Sequence, residues 1–328
     1  MTNSLSGMKK IALIDCRRTK GNVQKRTSVN FRNMLVLENT LDAVGIYDPT
    51  MFRTTDQFDA MVFGFGSNSN DFVKTTELIK NNPNAVLFWM VGEYEQSNYW
   101  AILNADRKFH VIKNFVGRGK IAKYNTHVLS DTMINLNLLI TRKPNEITIK
   151  KHDVIYYSRW RKDRSKYAKL YLQGDVYFSS DSKNFKQYKH IGCEPKWIQK
   201  LSWERGCETL NLFRFSLYME DEFTHTCFNN LANRWYEAGI CNCIVLFDRN
   251  CINTIKQSEI GQYMDEIEPF LVDDHQSMMN TIEMMKPEWN KWLDIQRNWR
   301  KNELQLRQNM LDEFKQLIHS QIEQNENR

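Results

Sequence analysis

The chain has 328 residues, 41% of them hydrophobic, which is enough apolar material to form a core in each of two domains of ordinary size. No apolar run approaches the roughly 20 residues that a membrane-spanning helix requires, and residues 1–8 lack the apolar stretch of a secretory signal. Seven scattered cysteines are typical of reduced thiols rather than of a disulfide framework. We therefore expect a globular cytoplasmic protein without membrane association.

The net charge of +6 is concentrated in the first half of the chain. Residues 1–150 hold 20 Lys and Arg against 13 Asp and Glu, whereas residues 151–328 hold 25 against 26. A basic surface attracts polyanions, because neutralising phosphates releases counterions. An ordinary solvated face explains a surplus of this size equally well.

Apolar runs alternate with helical spacing along the first half. Strands of continuous apolar character separated by helices imply a parallel sheet that is covered on both faces. A polar stretch at residues 141–152, which contains Pro144, predicts an interdomain linker. The predicted strands are residues 10–15, 59–65 and 85–91, and the predicted helices are residues 31–43 and 70–80, the latter capped by Ser69 or Asn70.

The same alternation restarts after the linker. It predicts an α/β fold with two Rossmann-like domains, residues 1–150 and 151–286, that face a cleft. A C-terminal helix, residues 287–328, is expected to pack back across the domains. Ligands of such sheets lie beyond the carboxyl ends of the strands, so we expect the chemistry there. The predicted strands are residues 153–157, 174–178, 210–218 and 243–247, and the predicted helices are residues 165–172, 228–238 and a long one from Pro287.

An arginine-rich turn, SRWRKDRSK, follows the predicted strand 153–157. A guanidinium group can bind two phosphate oxygens at once, and a helix N-terminus adds N–H donors and a favourable dipole. Solvated surface charge is the default for such a run, but its place at a strand's carboxyl end favours a diphosphate site. No G-x-G-x-x-G or P-loop motif occurs to support another phosphate site. The basic residues are Arg159, Arg161, Lys162, Arg164 and Lys166.

A second candidate element is the predicted helix that leads into strand 243–247. Arg234 and Glu237 lie three residues apart, so both project from one face of that helix. The arginine can meet phosphate while the carboxylate accepts hydrogen bonds from ribose hydroxyls. Taken alone, such a pair is more often a surface ion pair.

Four cysteines near this helix invite a zinc proposal. Cys227, Cys241, Cys243 and Cys251, with His225 nearby, lack the C-x-x-C spacing of structural zinc sites. We therefore expect buried thiols and no metal site.

Two segments carry a family resemblance. Residues 234–248, RWYEAGICNCIVLFD, resemble the nucleotide-sugar-binding segment of the T-even phage DNA β-glucosyltransferases, which have the GT-B fold. Residues 153–164, DVIYYSRWRKDR, resemble that family's strand and arginine loop, and residues 178–188 match the following segment more loosely. The resemblance covers about half of the C-terminal domain. It implies a UDP-sugar donor.

The resemblance also assigns the donor-binding residues. Arg161 and Arg164 fall on the family's two diphosphate arginines if one residue is deleted between them. Arg234 and Glu237 correspond to its phosphate-binding and ribose-binding pair. An acidic residue in the loop before the Arg234 helix serves the donor sugar in that family. The alignment does not choose among Glu220, Asp221 and Glu222 for this role.

For the acceptor side, the family uses an acidic residue after the third N-terminal strand as a base on the hydroxymethyl group of a flipped modified cytosine. This chain has Gly-Glu-Tyr-Glu at residues 92–95, where the family has Asp, so Glu93 is the first candidate and Glu95 the second. Desolvation at a strand's end would raise the pKa of such a glutamate and make it a better base, whereas a solvated loop carboxylate is the alternative. A flexible basic loop suits the DNA backbone: Arg17, Arg18, Lys20, Gly21, Asn22, Lys25 and Arg26.

The leading hypothesis is therefore an inverting, monomeric glycosyltransferase of phage origin acting in the host cytoplasm. It would move glucose, or a related sugar such as arabinose, from a UDP-sugar to a 5-hydroxymethylpyrimidine in double-stranded DNA. One alternative is a GT-B enzyme with a saccharide or protein acceptor, since aromatic residues near Glu93 can stack on a sugar. Another is a non-catalytic nucleic-acid-binding protein. A divalent ion that assists diphosphate departure is left open, because no motif indicates one.

Overall fold

The computed structural model describes residues 9–15, 36–64, 69–91, 97–113, 127–133, 149–201, 206–222, 224 and 231–327. The chain divides into two compact units. Unit 1 consists of Met1–Leu139 together with Leu306–Arg328, and unit 2 consists of Ile140–Gln305.

Unit 1 contains a six-stranded parallel sheet in the order β2-β1-β3-β4-β5-β6. Helices connect several of its strands, and residues 36–41 are also helical. Parallel strands require such crossovers, which is what the alternating pattern of the sequence predicts. The elements are β1 Ile11–Ile14, β2 Val44–Ile46, β3 Ala60–Phe63, α1 Ser69–Lys80, β4 Val86–Val91, α2 Ser97–Asn104, β5 Phe109–Lys113 and β6 Val128–Met133.

Both faces of the unit 1 sheet are buried. In β1, Ile11 and Leu13 belong to one apolar cluster, whereas Ala12 and Ile14 belong to another. Alternate residues of a strand point to opposite faces, so these two clusters are the two layers of the core. The end of the chain contributes to the first cluster through Leu311, Phe314, Ile318 and Ile322.

Unit 2 contains a second six-stranded parallel sheet, in the order β12-β11-β10-β7-β8-β9. Strands β10 and β11 of this sheet are mostly apolar and almost wholly buried, as expected for a sheet covered on both faces. The elements are β7 His152–Tyr157, α3 Ser165–Tyr171, β8 Tyr177–Ser180, α4 Ser182–His190, β9 Lys196–Gln199, α5 Gly206–Leu210, β10 Phe213–Tyr218, α6 Asn233–Ile240, β11 Ile244–Asp248, α7 Ile252–Gln257, α8 Met264–Ile267, β12 Leu271–Val272, α9 His275–Met285 and α10 Trp289–Glu326.

The predicted long C-terminal helix is present as α10, which has 38 residues. Its first part packs within unit 2, where Trp299 contacts the rings of Trp235, Tyr263 and Phe270. The buried side chain of Gln296 donates to the carbonyl of Val245 at 2.8 Å and accepts from its N–H at 2.8 Å. Strand β12 pairs only with Phe247 and Asp248 of β11. Gln296 therefore supplies the hydrogen-bond partners for the backbone of Val245, which lies outside that pairing.

Three predicted boundaries in unit 2 are wrong. The strand predicted at 210–218 begins at Phe213, because Leu210 ends the short helix α5 and adds a buried apolar side chain that extends the strand-like run. The helix predicted at 228–238 begins, among the described residues, at Asn233, since Ala232 has the extended backbone of an N-cap. The strand predicted at 174–178 lies at Tyr177–Ser180 instead.

Among the described residues, no helix is both long enough and apolar enough to cross a membrane. Cys241, Cys243 and Cys251 are free, buried thiols, as predicted. Burial raises the pKa of the Cys243 thiol to about 11, so it is protonated at neutral pH.

Candidate functional site

The donor-site residues predicted from the second half meet at one edge of the unit 2 sheet. β7 and β10 are adjacent and parallel, so their carboxyl ends lie side by side. The arginine loop, residues 158–164, follows β7, and Glu220 and Asp221 follow β10. Arg234 lies in the first turn of α6. Three separate chain segments thus bring charged side chains to the same edge.

Glu220 connects Arg164, which is buried, with Arg234, which is largely buried. Its Oε2 accepts from Nη2 of Arg164 at 2.9 Å, and its Oε1 accepts from Nη2 of Arg234. The Glu220 side chain is 3% exposed, so these contacts form away from water. Charge-assisted hydrogen bonds in such surroundings fix the orientation of both guanidinium groups.

Asp221 contacts the same Arg164 nitrogen as Glu220. Its Oδ2 lies 2.9 Å from Nη2 of Arg164 and 3.4 Å from Nε of Arg161. Its Oδ1 accepts from both the backbone N–H and the hydroxyl of Thr224, at 3.0 and 2.9 Å. Burial alone would raise the pKa of Asp221, but the Thr224 hydrogen bonds and the two arginine charges hold it below its ordinary value.

Arg234 is fixed against the end of β7. Its Nη1 donates to the carbonyl of Tyr157 at 3.2 Å, and the Tyr157 hydroxyl donates back to the Arg234 carbonyl at 3.3 Å. The guanidinium carbon lies 5.6 Å from the centre of the Tyr156 ring. Burial opposes the charge of Arg234, but Glu220 and the surrounding tyrosines outweigh it, so the pKa of Arg234 is raised and the residue stays protonated.

Glu237, predicted to share a helix face with Arg234, lies near Tyr157. Its side chain is half-buried. Burial raises the pKa of the Tyr157 phenol well above its ordinary value, and the nearby charge of Glu237 raises it further. Arg234 and Glu237 therefore both lie near Tyr157, in keeping with their spacing along one face of α6.

The five charged residues Arg161, Arg164, Arg234, Glu220 and Asp221 are called the arginine cluster below. Three guanidinium groups face two carboxylates, which leaves a surplus of positive charge. The Arg161 side chain is 50% exposed, whereas Arg164 is buried. The Nε atoms of Arg164 and Arg234 are buried and have no hydrogen-bond acceptor among the described residues. The cluster is thus suited to hold an anion.

The sequence prediction placed the arginines and the carboxylates in separate roles, and their pairing was missed. Arg164 was predicted in a turn that begins a helix and lies in such a turn, but its guanidinium is buried against Glu220 and Asp221. The available signal was that Arg161 and Arg164 follow one predicted strand while Glu220 and Asp221 follow another. Strands β7 and β10 are neighbours in the sheet, so this placement brings the opposite charges together. Glu222 differs from these two acids, because it is half-exposed, pairs with Lys166 and accepts from the Tyr167 hydroxyl at 2.9 Å.

Helix α4 supports the arginine loop from behind. The backbone N–H of Trp160 donates to Oδ1 of Asn184 at 2.6 Å, and the Tyr188 hydroxyl donates to the carbonyl of Arg159 at 3.2 Å. The Trp160 and Tyr188 rings meet edge to face, with centroids 4.9 Å apart. Sequence reasoning did not identify these supporting residues.

The remaining predicted residues lie outside the described residues. They are the base candidates Glu93 and Glu95 and the acceptor-loop residues Arg17, Arg18, Lys20, Gly21, Asn22, Lys25 and Arg26. Within the part of the chain that the structure describes, no group of three or more His, Cys, Asp or Glu side chains is arranged to hold a metal ion.

Comparison with known proteins identifies the fold. No protein-family model and no curated protein sequence matches the chain. Among solved structures, T4 phage β-glucosyltransferase is similar with a TM-score of 0.67 and 15% identity, over 94% of this chain and 99% of that one. A structure of the DNA-modifying enzyme β-glucosyltransferase, with and without UDP-glucose, gives a TM-score of 0.69 at 14% identity over the same shares of the two chains.

An α-glucosyltransferase in complex with UDP and a DNA 13-mer containing an HMU base is also similar. Its TM-score is 0.62 at 10% identity, over 93% of this chain and 95% of that one. These likenesses extend over nearly the full length of each partner, although few residues are identical. The chain therefore has the GT-B fold of the phage DNA glucosyltransferases, as its sequence predicted.

Proposed function

We propose that this chain is a glycosyltransferase that moves a sugar from a UDP-sugar to a 5-hydroxymethylpyrimidine base in double-stranded phage DNA. The shared fold supports this proposal, because the similar structures include a DNA-modifying enzyme with UDP-glucose as its substrate. The observation that carries it is the arginine cluster at the carboxyl edge of the unit 2 sheet. In α/β folds of this kind, that edge is where ligands bind.

The charge balance of the arginine cluster fits the diphosphate of such a donor. Its surplus positive charge and the exposed guanidinium of Arg161 provide attraction and access. Phosphate oxygens would meet the half-exposed guanidinium of Arg161, and the charges of Arg164 and Arg234 add to the attraction. We assign the ribose hydroxyls to Glu237, which shares a helix face with Arg234.

In the transfer step, Glu93 accepts the proton of the base's hydroxymethyl group, with Glu95 as the second candidate. The freed oxygen attacks the anomeric carbon in line, and the bond from that carbon to the diphosphate breaks with its electron pair leaving on UDP. Attack from the opposite face inverts the anomeric configuration. The arginine cluster stabilises the negative charge that develops on the departing diphosphate, and its fixed geometry avoids reorganisation during the reaction.

The DNA side of the reaction requires that the target base leave the helix. Extruding a base costs a few kcal/mol, which contacts to the DNA backbone can offset. We assign these contacts to the basic loop at residues 17–26.

The test is incubation of the protein with radiolabelled UDP-glucose, and separately with other UDP-sugars, and duplex DNA that contains 5-hydroxymethylcytosine or 5-hydroxymethyluracil. We expect label in the DNA with at least one donor. Glu93→Gln should abolish incorporation and leave DNA binding intact, whereas Glu95→Gln should retain activity. Incorporation by Glu93→Gln together with loss in Glu95→Gln would exchange the two roles.

A measurement of DNA binding distinguishes a DNA acceptor from a saccharide or protein acceptor. Salt-dependent binding of duplex DNA agrees with the proposal, and its absence in a protein that hydrolyses or transfers from UDP-sugars would favour a saccharide or protein acceptor. DNA binding without transfer under any donor would indicate a non-catalytic nucleic-acid-binding protein.

A further inference from the structure

Helix α4 and strand β9 form one edge of the unit 2 sheet. In the described part of the chain, β9 is the terminal strand of that sheet and pairs with β8 alone. The inner face of α4 is aromatic, with Phe185 stacked on Trp197 at 5.6 Å and Tyr188 against Phe178 at 4.8 Å. This packing fixes the helix on the sheet and directs its other face to solvent.

The outward side of this edge is rich in lysine. Residues 181–200 contain five lysines against two carboxylates, whereas residues 201–328 contain 13 Lys and Arg against 21 Asp and Glu. The basic edge therefore stands out in a half of the chain that is neutral as a whole. All five lysines are exposed, and together they are called the lysine edge: Lys183, Lys186, Lys189, Lys196 and Lys200.

Most of this charge is not neutralised locally. Lys196 lies 3.5 Å from Asp175 in an exposed pair, and Lys200 is close enough to Asp181 to lower the pKa of that carboxyl, behind the stronger effect of the Asn184 N–H. Among the described residues, the three lysines of α4 form no ion pair within 4.0 Å. They are available to an external polyanion.

The lysine edge adjoins the candidate donor site. α4 begins directly after β8, at the carboxyl edge of the sheet where the arginine cluster lies. The same helix holds the arginine loop through Asn184 and Tyr188. A ligand on the outer face of α4 would therefore lie next to the loop that carries Arg161.

We infer that the lysine edge binds the phosphate backbone of duplex DNA. The nine residues of α4 rise about 13 Å at 1.5 Å per residue, and phosphates of one strand repeat every ~3.4 Å along the axis, so several come within reach. Lysines at phosphates position a protein on DNA without reading its sequence. The choice of duplex DNA rests on the proposed function, and the inference deepens that function by giving the donor-binding unit a DNA contact of its own.

The test uses the full chain with Lys183, Lys186 and Lys189 all changed to Gln. Binding of a fluorescently labelled, unmodified duplex of 20 base pairs is followed by anisotropy at several salt concentrations. Each lost phosphate contact lowers the slope of log affinity against log salt by about 0.9, so we expect a reduction of about 2 to 3. In the middle of the salt range, the affinity of this variant for DNA should be at least about tenfold below that of the wild type.

The matched control changes Lys256, Lys291 and Lys301 to Gln, which removes the same charge from exposed positions of unit 2. This variant should keep a slope near that of the wild type. An unchanged slope in the α4 variant, or an equal loss in both variants, would overturn the inference. Because no donor and no hydroxymethylated base are used, failure of sugar transfer would sink the proposed function without touching this result.

Discussion

The Glu220 carboxylate engages a guanidinium group with each of its oxygens, one from Arg164 and one from Arg234. Together with Asp221, it fixes where these groups point before any phosphate arrives. Such preorganised charge is what electrostatic stabilisation of a leaving group requires. Of the three acids predicted to serve the donor sugar, Glu220 and Asp221 are thus bound to arginines in this structure.

Arg161 is the member of the cluster that a substitution can test without disturbing the fold. Because its side chain is half-exposed, Arg161→Ala should change the free energy of unfolding by no more than about 0.5 kcal/mol. It should weaken UDP binding about 10- to 100-fold, because a charge-assisted hydrogen bond contributes about 1.5–3 kcal/mol to the binding free energy. Isothermal titration calorimetry with UDP measures this. Arg159→Ala, an exposed arginine two residues earlier, is the control and should bind UDP normally.

Asp221 predicts a pH dependence of stability. Its pKa is lowered in the folded protein, so its contribution is complete above the ordinary carboxyl pKa of about 3.9 and is lost as the pH falls through the folded value. Asp221→Asn should therefore be less stable than the wild type at pH 7, and the difference in unfolding free energy should shrink below about pH 4.

Urea denaturation of the two proteins between pH 7 and pH 3 checks this. The exposed Asp265→Asn serves as the control and should stay within about 0.5 kcal/mol of the wild type at pH 7. A gap between Asp221→Asn and the wild type that remains constant down to pH 3 would show that the carboxylate charge is not what Asp221 contributes.

Among the elements, α10 and β11 depend on Gln296. Its amide satisfies both backbone groups of buried Val245. Gln296→Leu keeps the side-chain volume but leaves a buried N–H and a buried carbonyl without a hydrogen-bond partner. Each such group costs about 1–3 kcal/mol, so we expect the unfolding free energy to fall by about 3 kcal/mol. Chemical denaturation measures the loss. Gln308→Leu, at an exposed position of the same helix, should change little.

In helix α6, the space beside Gly239 is filled by the side chain of Arg300 from α10. A Cβ on Gly239 would lie 2.0 Å from Nε of Arg300, whose guanidinium packs over the Trp235 ring at 4.5 Å. Overpacking costs about 1–3 kcal/mol and exceeds the helix-propensity gain of up to about 1 kcal/mol, so Gly239→Ala should be destabilising. Thermal unfolding would show a lower Tm.

The Gly239 effect is expected to depend on the local space and on Arg300. Gly174→Ala, where no atom lies within 4 Å of the added Cβ, should leave the Tm nearly unchanged. In an Arg300→Ala background, Gly239→Ala should no longer be destabilising. A Tm loss of equal size in both backgrounds would rule out the Arg300 contact as its cause.

Elements with strong apolar character were predictable, and short or polar ones were not. β1, β4 and β11 are continuous apolar runs, and the sequence predicted each to within one or two residues. β9 has exposed residues at three of its four positions, so neither apolar run nor alternation marks it. β12 has two residues, and its pairing with β11 depends on contacts that no local pattern encodes.

At the scale of the whole molecule, the alternation of strands and helices predicted two parallel sheets and a long final helix, and the fold has both. The strand orders were beyond reach, because register and neighbour choice depend on tertiary packing. In the site, the Arg234 and Glu237 spacing predicted a shared helix face. The pairing of Arg164 with Glu220 was not predictable, because it joins residues 56 positions apart.

Sugar transfer to DNA tests the central proposal most directly. The protein is incubated with a UDP-sugar and duplex DNA in which one strand carries a single 5-hydroxymethylpyrimidine, and the DNA is then digested to nucleosides for mass spectrometry. We predict a modified nucleoside heavier by one sugar residue, absent from unmodified DNA and from reactions with Glu93→Gln. An unchanged mass for every combination of UDP-sugar and hydroxymethylated base, in protein that binds both UDP and DNA, would contradict the proposal.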